Sequence, residues 1–484
     1  MRSISVSMGR RVGAVASIFL GLAALSALGP AAAQPLRGPA APGPINPSPD
    51  QAAQLRRALD NAPAHGFAPG AFTPRGNDNT ALVAATLRYA KAVHSGRLPA
   101  SGFRDDWDLR PEPFDPAPGL AAAVANNRVQ AWLNSLPPPY TGYQALQRGL
   151  IQYRDIQASG GFSPMPQVDL KPGAVGPMVE LLRARLAQED RAVPASVAMT
   201  PAGAPAGAPA TPVYNDDMTE AVKRAQRRFG QQPTGVFSDG LRFQLNVPVE
   251  RRLDQILANM ERWRWLPQQL PEHRVQVNIA AAVLTVFEGD QPTMSMRAVT
   301  GKPGSETPML RSTINGIVLN PPWNVPAGIA RNELLPKGRG YLASAGFRIL
   351  PGGGLQQAPG PGSALGLIKF DFPNRYAVYL HDTPSKGRFS SYSRLASHGC
   401  VRLEKPMALA RHILAGDPKW TPEQIDATIA GGKTTRAVVQ RPVEVFLLYW
   451  TAYVTPDGQV NFRQDPYGWD TLLIQRIAAQ GRPA

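Results

Sequence analysis

Two short segments, residues 379–383 (YLHDT) and residues 397–402 (SHGCVR), contain the most informative side chains of this 484-residue chain. The first follows a strand-like run, which places His381 at the end of a predicted strand. The second contains Cys400, the chain's single cysteine, with His398 two residues before it. A thiol near two imidazoles is typical of nucleophilic catalysis, in which a base takes the thiol proton and N–H groups hold an oxyanion.

The same residues predict how such a site would be built. Cys400 is the candidate nucleophile, and His381, at a strand end, can aim its ring at a neighbouring loop. Alternation along an extended segment would put the side chains of His398 and Cys400 on one side. A paired imidazole lowers a cysteine pKa by whole units from about 8.5, which predicts a thiolate at neutral pH. Gly399 has no side chain, so backbone N–H groups there can approach a substrate carbonyl. Each N–H donor in such an oxyanion hole stabilises the transition state by about 3 kcal/mol.

These residues also allow interpretations other than catalysis. Cys400 could be a buried structural thiol, and zinc ligation would need four ligands where only His381, His398 and Cys400 are near. Arg402 fits either a structural ion pair or a substrate clamp. We predict no metal and no organic cofactor. Four further histidines stand alone and are predicted to be surface or capping residues: His65, His94, His273 and His412.

The N-terminus has the pattern of a signal peptide. Arginines precede an uncharged apolar run over residues 12–28, and the small residues 31–33 follow as a cleavage pattern. The run is shorter than the roughly 20 residues of a spanning helix, which favours cleavage over an uncleaved anchor. We expect residues 1–33 to be removed and no stable membrane span to remain. The pair of arginines at 10–11 leaves Sec and twin-arginine export open.

The charge and the cysteine count bear on partners and compartment. A formal net charge of +16 would suggest nucleic acid for an intracellular protein. An exported protein does not meet nucleic acid. The positive charge would then attract acidic envelope polymers or anionic lipids, or it would serve only to keep the protein soluble. Exported proteins usually pair their cysteines as disulfides, so the persistence of a lone thiol needs a reason.

Length and composition predict two or three domains joined by Pro- and Gly-rich linkers. In the C-terminal part we expect strand structure in residues 275–287, a helix capped by Thr421, and a hairpin at residues 456–458. The predicted segments are a signal peptide (1–33), a flexible leader (34–50), a helical scaffold (51–200), an Ala/Pro-rich linker (201–212), a compact helical unit (213–250), a connecting helix (251–270) and a β-rich domain (271–484).

The histidine followed by SHGCVR resembles the active-site signature of L,D-transpeptidases. The likeness extends to residues 320–326 (NPPWNVP), residues 261–265 (ERWRW) and the tail from 462 to 470, which look like the large Gram-negative members of that family. Residues 213–250 resemble its three-helix peptidoglycan-binding module. The resemblance implies an α+β multidomain fold, with a β-sandwich-like catalytic domain and an inserted capping segment at about 324–362.

The resemblance also implies an activity. Cys400 would attack the carbonyl after the third residue of a tetrapeptide stem and release the terminal D-alanine. The acyl group would then pass to a diaminopimelate amine of another stem, making a 3→3 crosslink in cell wall biogenesis. The implied partners are peptidoglycan stem peptides and glycan in the periplasm, with envelope proteins as further partners.

By the same resemblance each site residue receives a role. His381 is the base, and the backbone carbonyl of Asp382, which stands where many members have glycine, orients it. Oxyanion donors and shaping residues are His398, Gly399 and Cys400, and the substrate-binding residues are Tyr379, Arg402, Trp323 and Ser397. A hydrolase or carboxypeptidase of the same fold, or a noncatalytic wall-binding scaffold, remains as an alternative.

Overall fold

A computed structural model describes residues 44–196, 198–199 and 210–480. The chain divides into Met1–Pro44 and Ile45–Ala484, and the second unit is the subject below. The predicted signal peptide (1–33) and most of the predicted leader and linker lie outside the described residues. None of the helices in the described ranges is both long and apolar enough to cross a membrane.

Most helices of the described chain precede residue 264. The helices are α1 (Pro49–Asp60), α2 (Asn79–Ser95), α3 (Pro116–Ala125), α4 (Val129–Ser135), α5 (Thr141–Ala158), α6 (Pro177–Ala187), α7 (Asp216–Arg228), α8 (Asp239–Leu245), α9 (Val249–Trp263), α10 (Ala327–Ile329), α11 (Gly338–Ser344), α12 (Pro406–Ile413), α13 (Pro422–Ala430) and α14 (Trp469–Gln480).

Most strands follow residue 272. The strands are β1 (Ala198–Met199), β2 (Thr211–Pro212), β3 (His273–Asn278), β4 (Val283–Glu288), β5 (Gln291–Gly301), β6 (Leu310–Leu319), β7 (Trp323–Asn324), β8 (Phe347–Ile349), β9 (Leu355–Gln357), β10 (Ile368–Asp371), β11 (Leu380–His381), β12 (Leu395–Ser397), β13 (Val401–Leu403), β14 (Thr435–Leu448), β15 (Ala452–Val454) and β16 (Val460–Phe462).

The first four helices have a hydrophobic core of their own. Ser48 caps α1 in a reciprocal capping box with Gln51, which satisfies two backbone donors that the first helical turn leaves free. Leu55 of α1, Ala85 of α2 and Leu120 of α3 are fully buried in this cluster. The predicted scaffold therefore contains a separate packed layer over α1–α4.

Helices α5–α9 instead share the large core of the C-terminal sheet. Within residues 213–250 two helices, α7 and α8, are complete, and α6 packs on α7 from the preceding segment. The apolar face of α7 is buried, with Ala221, Val222 and Ala225 inside. The compact helical unit is thus packed into the rest of the protein.

Nine strands form one mixed sheet in the order β12-β5-β13-β11-β10-β6-β14-β3-β4. A further pairing between β5 and β4 joins the two ends of this order, so eight of the strands close into a ring. The ring encloses Val277, Ile317 and Leu447, which have no exposed surface. The α+β class predicted from the sequence is confirmed, and the expected sandwich takes the form of one continuous sheet.

The strand structure predicted in residues 275–287 is confirmed and consists of two strands, β3 and β4. The chain turns between β3 and β4, where Ala282 has a φ of +49° and the Asn278 side chain accepts a hydrogen bond from the Ala281 N–H. The alternating apolar residues continue on both sides of this turn, so periodicity alone concealed it. The helix cap at Thr421 and the hairpin between β15 and β16 are confirmed.

Helix α9 joins the helical region to the sheet through buried charges. Glu261 has no exposed surface, and its carboxylate accepts hydrogen bonds from the N–H groups of Arg97 and Leu98 and from Arg264. One residue further on, Arg262 forms a buried ion pair with Asp470 of α14. A buried carboxylate is stable only when its lone pairs are matched in this way.

We predict that Glu261→Gln lowers the free energy of unfolding by about 3–5 kcal/mol, because Arg264 loses its buried counter-charge. Chemical denaturation of the purified protein measures this. The matched control is Glu220→Gln, which removes an exposed pair with Lys223 and should leave stability almost unchanged. Equal stability of the two variants would contradict the role given to Glu261.

Candidate active site

The two sequence segments meet because β11 and β13 are neighbouring parallel strands. Leu380 pairs with Val401, and His381 pairs with Arg402. The Val401 N–H donates to the Tyr379 carbonyl at 3.0 Å. This hydrogen bond holds Tyr379, the residue before β11, beside Cys400, the residue before β13. Strand pairing therefore places Tyr379 next to Cys400, although twenty residues separate them in the chain.

The Cys400 thiol is half-buried and is hydrogen-bonded by Tyr379. Burial raises the pKa of Cys400, while the backbone and hydroxyl of Tyr379 and the cations Lys369 and Arg402 oppose that rise. The hydrogen bonds that the structure gives the thiol come from Tyr379 and not from His381. The predicted resting thiolate is therefore wrong, since burial outweighs the donors.

His381 is 5% exposed and is held by the hydrogen bond that the sequence predicts, between Nδ1 and the Asp382 carbonyl. Because a carbonyl only accepts, Nδ1 carries the proton and Nε2 keeps its lone pair. Burial first, and the charge of Arg402 second, lower the pKa of His381 to about 3. The imidazole is therefore neutral at neutral pH and its ring stands edge-on to Tyr379 at 5.5 Å.

Residues 398–400 form a turn rather than an extended strand. Gly399 has a φ of +108°, a conformation that residues with a side chain rarely adopt. The side chain of His398 is consequently directed to Glu333, 2.8 Å from Nε2, while the Cys400 thiol faces Tyr379. The extended conformation on which the predicted shared side of His398 and Cys400 depended is therefore absent from residues 398–400.

Hydroxyl groups fix this turn from both sides. Ser397 donates to the Cys400 carbonyl and accepts from the Gly399 N–H at 3.2 Å. Thr307 donates to the Gly399 carbonyl at 2.8 Å and accepts from the Gly301 N–H. The Gly399 N–H is thus already used, whereas those of His398 and Cys400 make no hydrogen bond to another described residue.

The segment predicted as a cap, about 324–362, has a small core of its own. Strands β7, β9 and β8 form a three-stranded sheet, and Val325, Leu334 and Leu355 pack beneath it. Two residues connect this segment to the site. Glu333 contacts His398, and Trp323, which opens β7 at the start of the segment, hydrogen-bonds the Tyr379 hydroxyl. The cap segment therefore touches the residues on both sides of the thiol.

The charged groups around the thiol differ in their partners. The Asp382 carboxylate accepts from the Leu367 N–H and pairs with Lys386, so it holds the loop after His381. Arg402 is half-buried, and its guanidinium makes neither an ion pair nor a hydrogen bond with another described residue. This favours the substrate-facing interpretation of Arg402 over the structural ion pair.

Sequence reasoning missed three site residues: Lys369, Thr307 and Glu333. Lys369 pairs with His381 across β10 and β11, and its ammonium lies 4.5 Å from the centre of the Tyr379 ring. A cleft of about 380 Å³ opens beside the side chains of Lys369 and Tyr379. None of the three stands in a recognisable motif, so only the strand pairing and loop contacts reveal them.

The other histidines lie elsewhere. The surface or capping role predicted for His65 is wrong, because it is buried against Tyr143 and burial lowers its pKa to about 4. His94 stacks on Phe114, and His273 and His412 both contact Glu288. The described residues contain no group of three His, Cys, Asp or Glu side chains placed to hold a metal ion.

Comparison with known proteins gives two domain matches. Residues 272–423 match the L,D-transpeptidase catalytic domain, and residues 45–150 match a scaffold domain. A relative from Haemophilus influenzae, named a putative L,D-transpeptidase, is 34% identical over 248 residues, covering 46% of this chain and 50% of that protein. This chain thus spans half the length of the curated relative that it matches.

Solved L,D-transpeptidases share far less sequence with the chain. One from Xylanimonas cellulosilytica is 15% identical, covering 59% of this chain and 100% of its own, with a TM-score of 0.20. One from Stackebrandtia nassauensis is 14% identical, covering 58% of this chain and 96% of its own, with a TM-score of 0.22. The likeness to the L,D-transpeptidase catalytic domain thus falls on residues 272–423, which contain His381 and Cys400, and the likeness to the scaffold domain falls on residues 45–150.

Proposed function

We propose that this protein is an L,D-transpeptidase that forms 3→3 peptidoglycan crosslinks through an acyl-enzyme on Cys400. The observation that carries the proposal is the fixed thiol, which β11 and β13 hold beside Tyr379 in a catalytic domain of this family. The hydrogen-bonded, neutral His381 on the same strand supplies the base. Periplasmic location and cell-wall association follow from this activity and from the predicted signal peptide.

The resting site holds a neutral thiol and a neutral imidazole, so the proton leaves sulfur as the new bond forms. Sγ of Cys400 attacks the carbonyl carbon after the third stem residue while Nε2 of His381 takes the thiol proton. The carbonyl oxygen becomes an oxyanion within reach of the N–H groups of His398 and Cys400. The C–N bond then breaks, and D-alanine leaves with the proton from His381.

The second half of the reaction reverses these roles. A diaminopimelate amine of another stem attacks the thioester, and His381 takes a proton from that amine. The C–S bond then breaks, and His381 returns the proton to sulfur, which restores the thiol. One peptide bond is lost and one is formed, so no metal or organic cofactor is needed. Tyr379, which donates to sulfur, stabilises the thiolate as it leaves.

Charge complementarity supports a peptide substrate with free carboxylates. Arg402 and Lys369 stand near the thiol, and Arg402 has no acidic partner among the described residues. The stem peptide provides carboxylates that would match such a guanidinium. Trp323 and Glu333 bring the cap segment to the site, where exclusion of water would favour the amine over hydrolysis.

Incubation of the purified protein with tetrapeptide stems tests the proposed function. We predict release of D-alanine and accumulation of 3→3 dimers, with Cys400→Ala losing both products because the nucleophile is gone. Liquid chromatography with mass spectrometry separates the products. Free tripeptide without dimer would contradict transpeptidation and favour the hydrolase, and no turnover would favour a wall-binding scaffold.

The pKa of the thiol gives an independent prediction about the resting site. Alkylation by iodoacetamide needs the thiolate, so its rate reports deprotonation as the pH rises. Because burial raises the pKa of Cys400, we expect a midpoint above the value of about 8.5 for a free cysteine. Tyr379→Phe should move it higher, since a donor to sulfur is lost.

The urea-unfolded protein serves as the control, and its midpoint should equal that of a free cysteine. A native midpoint at or below about 7 would contradict the neutral resting site and indicate an imidazolium–thiolate pair. A midpoint that Tyr379→Phe leaves unchanged would show that the tyrosine hydroxyl does not stabilise the thiolate.

A further inference from the structure

A second cleft lies apart from the thiol, where the start of α5 and the end of α9 meet the outer face of the sheet. Its volume is about 690 Å³, within the range of roughly 300–1,000 Å³ that is usual for ligand sites. None of its lining residues belongs to the proposed catalytic site. Its floor comes from β3 and β4, and its wall is aromatic.

The floor follows from the alternation of the two strands. Val275 and Val277 of β3 point into the core, so the intervening Gln276 lies on the outer face. Gln276 pairs across the ladder with Thr285 of β4, and both line the cleft. Arg274 and Phe287 form the next outward pair along the same ladder.

The wall consists of three aromatic rings in a row. Tyr140 and Trp263 lie 5.3 Å apart, and Trp263 stacks on Trp450 at 4.6 Å. A Cβ atom at Gly142 would lie 2.4 Å from the Trp263 ring, so only glycine lets α5 approach it. The Asn278 side chain binds both the carbonyl and the N–H of Trp450, which fixes this ring above the floor.

One polar group on the floor lacks a partner. Gln276 is only 7% exposed, yet its side-chain amide makes no hydrogen bond to another described residue. The amide atoms of Gln276 are not among the fully buried ones and open onto the cleft, where a ligand that donates and accepts hydrogen bonds would match them. An entirely apolar ligand would leave this amide unmatched.

We propose that this cleft binds an oligosaccharide of N-acetylated amino sugars. The C–H faces of pyranose rings pack on aromatic faces such as Trp450, and an acetamido group can pair with the amide of Gln276. The natural ligand would be the glycan strand of peptidoglycan, and this part of the assignment rests on the proposed function. A strand held here would raise the local concentration of its stem peptides at Cys400.

Isothermal titration of the purified protein with a tetramer of β-1,4-linked N-acetylglucosamine tests the cleft. We expect binding that weakens about tenfold or more in both Gln276→Leu and Trp450→Ala, since each removes one contact surface. Gln276→Leu keeps the side-chain volume and breaks no hydrogen bond among the described residues, so its thermal stability should match the native protein. Gln291→Leu, on β5 outside the cleft, is the matched control.

Two results would overturn the proposal. The first is that the native protein does not bind the sugar. The second is that neither cleft variant weakens binding, because the sugar would then bind elsewhere, for instance on residues 213–250. A cellotetraose titration with equal affinity would overturn recognition of the acetamido group.

D-alanine release from soluble stem peptides separates this proposal from the proposed function. We expect the cleft variants to keep native release rates, because they leave the thiol site intact. Release without sugar binding would refute the cleft alone, and sugar binding without release would refute the transpeptidase alone.

Discussion

The buried carboxylate of Glu261 is the interaction on which the arrangement of this protein depends. It binds the N–H groups that follow α2 and the guanidinium of Arg264, so the helical region cannot separate from α9 without exposing an unpaired charge. On the same helix, Asn259 exchanges hydrogen bonds with Thr451, and Arg262 pairs with Asp470. The helix thereby fixes the sheet that positions the thiol, and its last residue, Trp263, builds the aromatic cleft.

At the thiol, the same low-polarity environment decides the chemistry. Burial disfavours charge on both Cys400 and His381, so the resting pair is neutral although the side chains are those of an acid and a base. Tyr379 stands beside Cys400 in the strand register, two residues before His381, and donates to the sulfur. In the mechanism that we propose, charge develops only when a substrate carbonyl is attacked, where donors and cations are already oriented.

The sequence was sufficient for the parts of the fold that local patterns encode. The cap at Thr421 and the β15–β16 hairpin were predictable because capping and turn residues agree there. Of the residues named through the SHGCVR resemblance, Tyr379 and Arg402 do lie near the Cys400 thiol. Local patterns did not reveal two backbone features: Ala282 turns the chain inside an apolar run, and Gly399 breaks the extended conformation assumed for residues 398–400.

Long-range partners carried no signal in the sequence. Lys369, Thr307 and Glu333 reach the site only through strand pairing, a loop contact and the cap segment. The thiol pKa was predicted in the wrong direction because the degree of burial of Cys400 cannot be deduced from its neighbours. The unmatched amide of Gln276 became visible only when the ladder and the aromatic wall were both in place.

Trapping the covalent intermediate tests the central claim, that Cys400 is the acylated nucleophile. The protein would be mixed with a tetrapeptide stem, quenched in acid within seconds, digested and mapped by mass spectrometry. The account predicts a tripeptide acyl group on the peptide that contains Cys400, and none in Cys400→Ala. An acyl group on any other residue, or continued D-alanine release by Cys400→Ala, would contradict it.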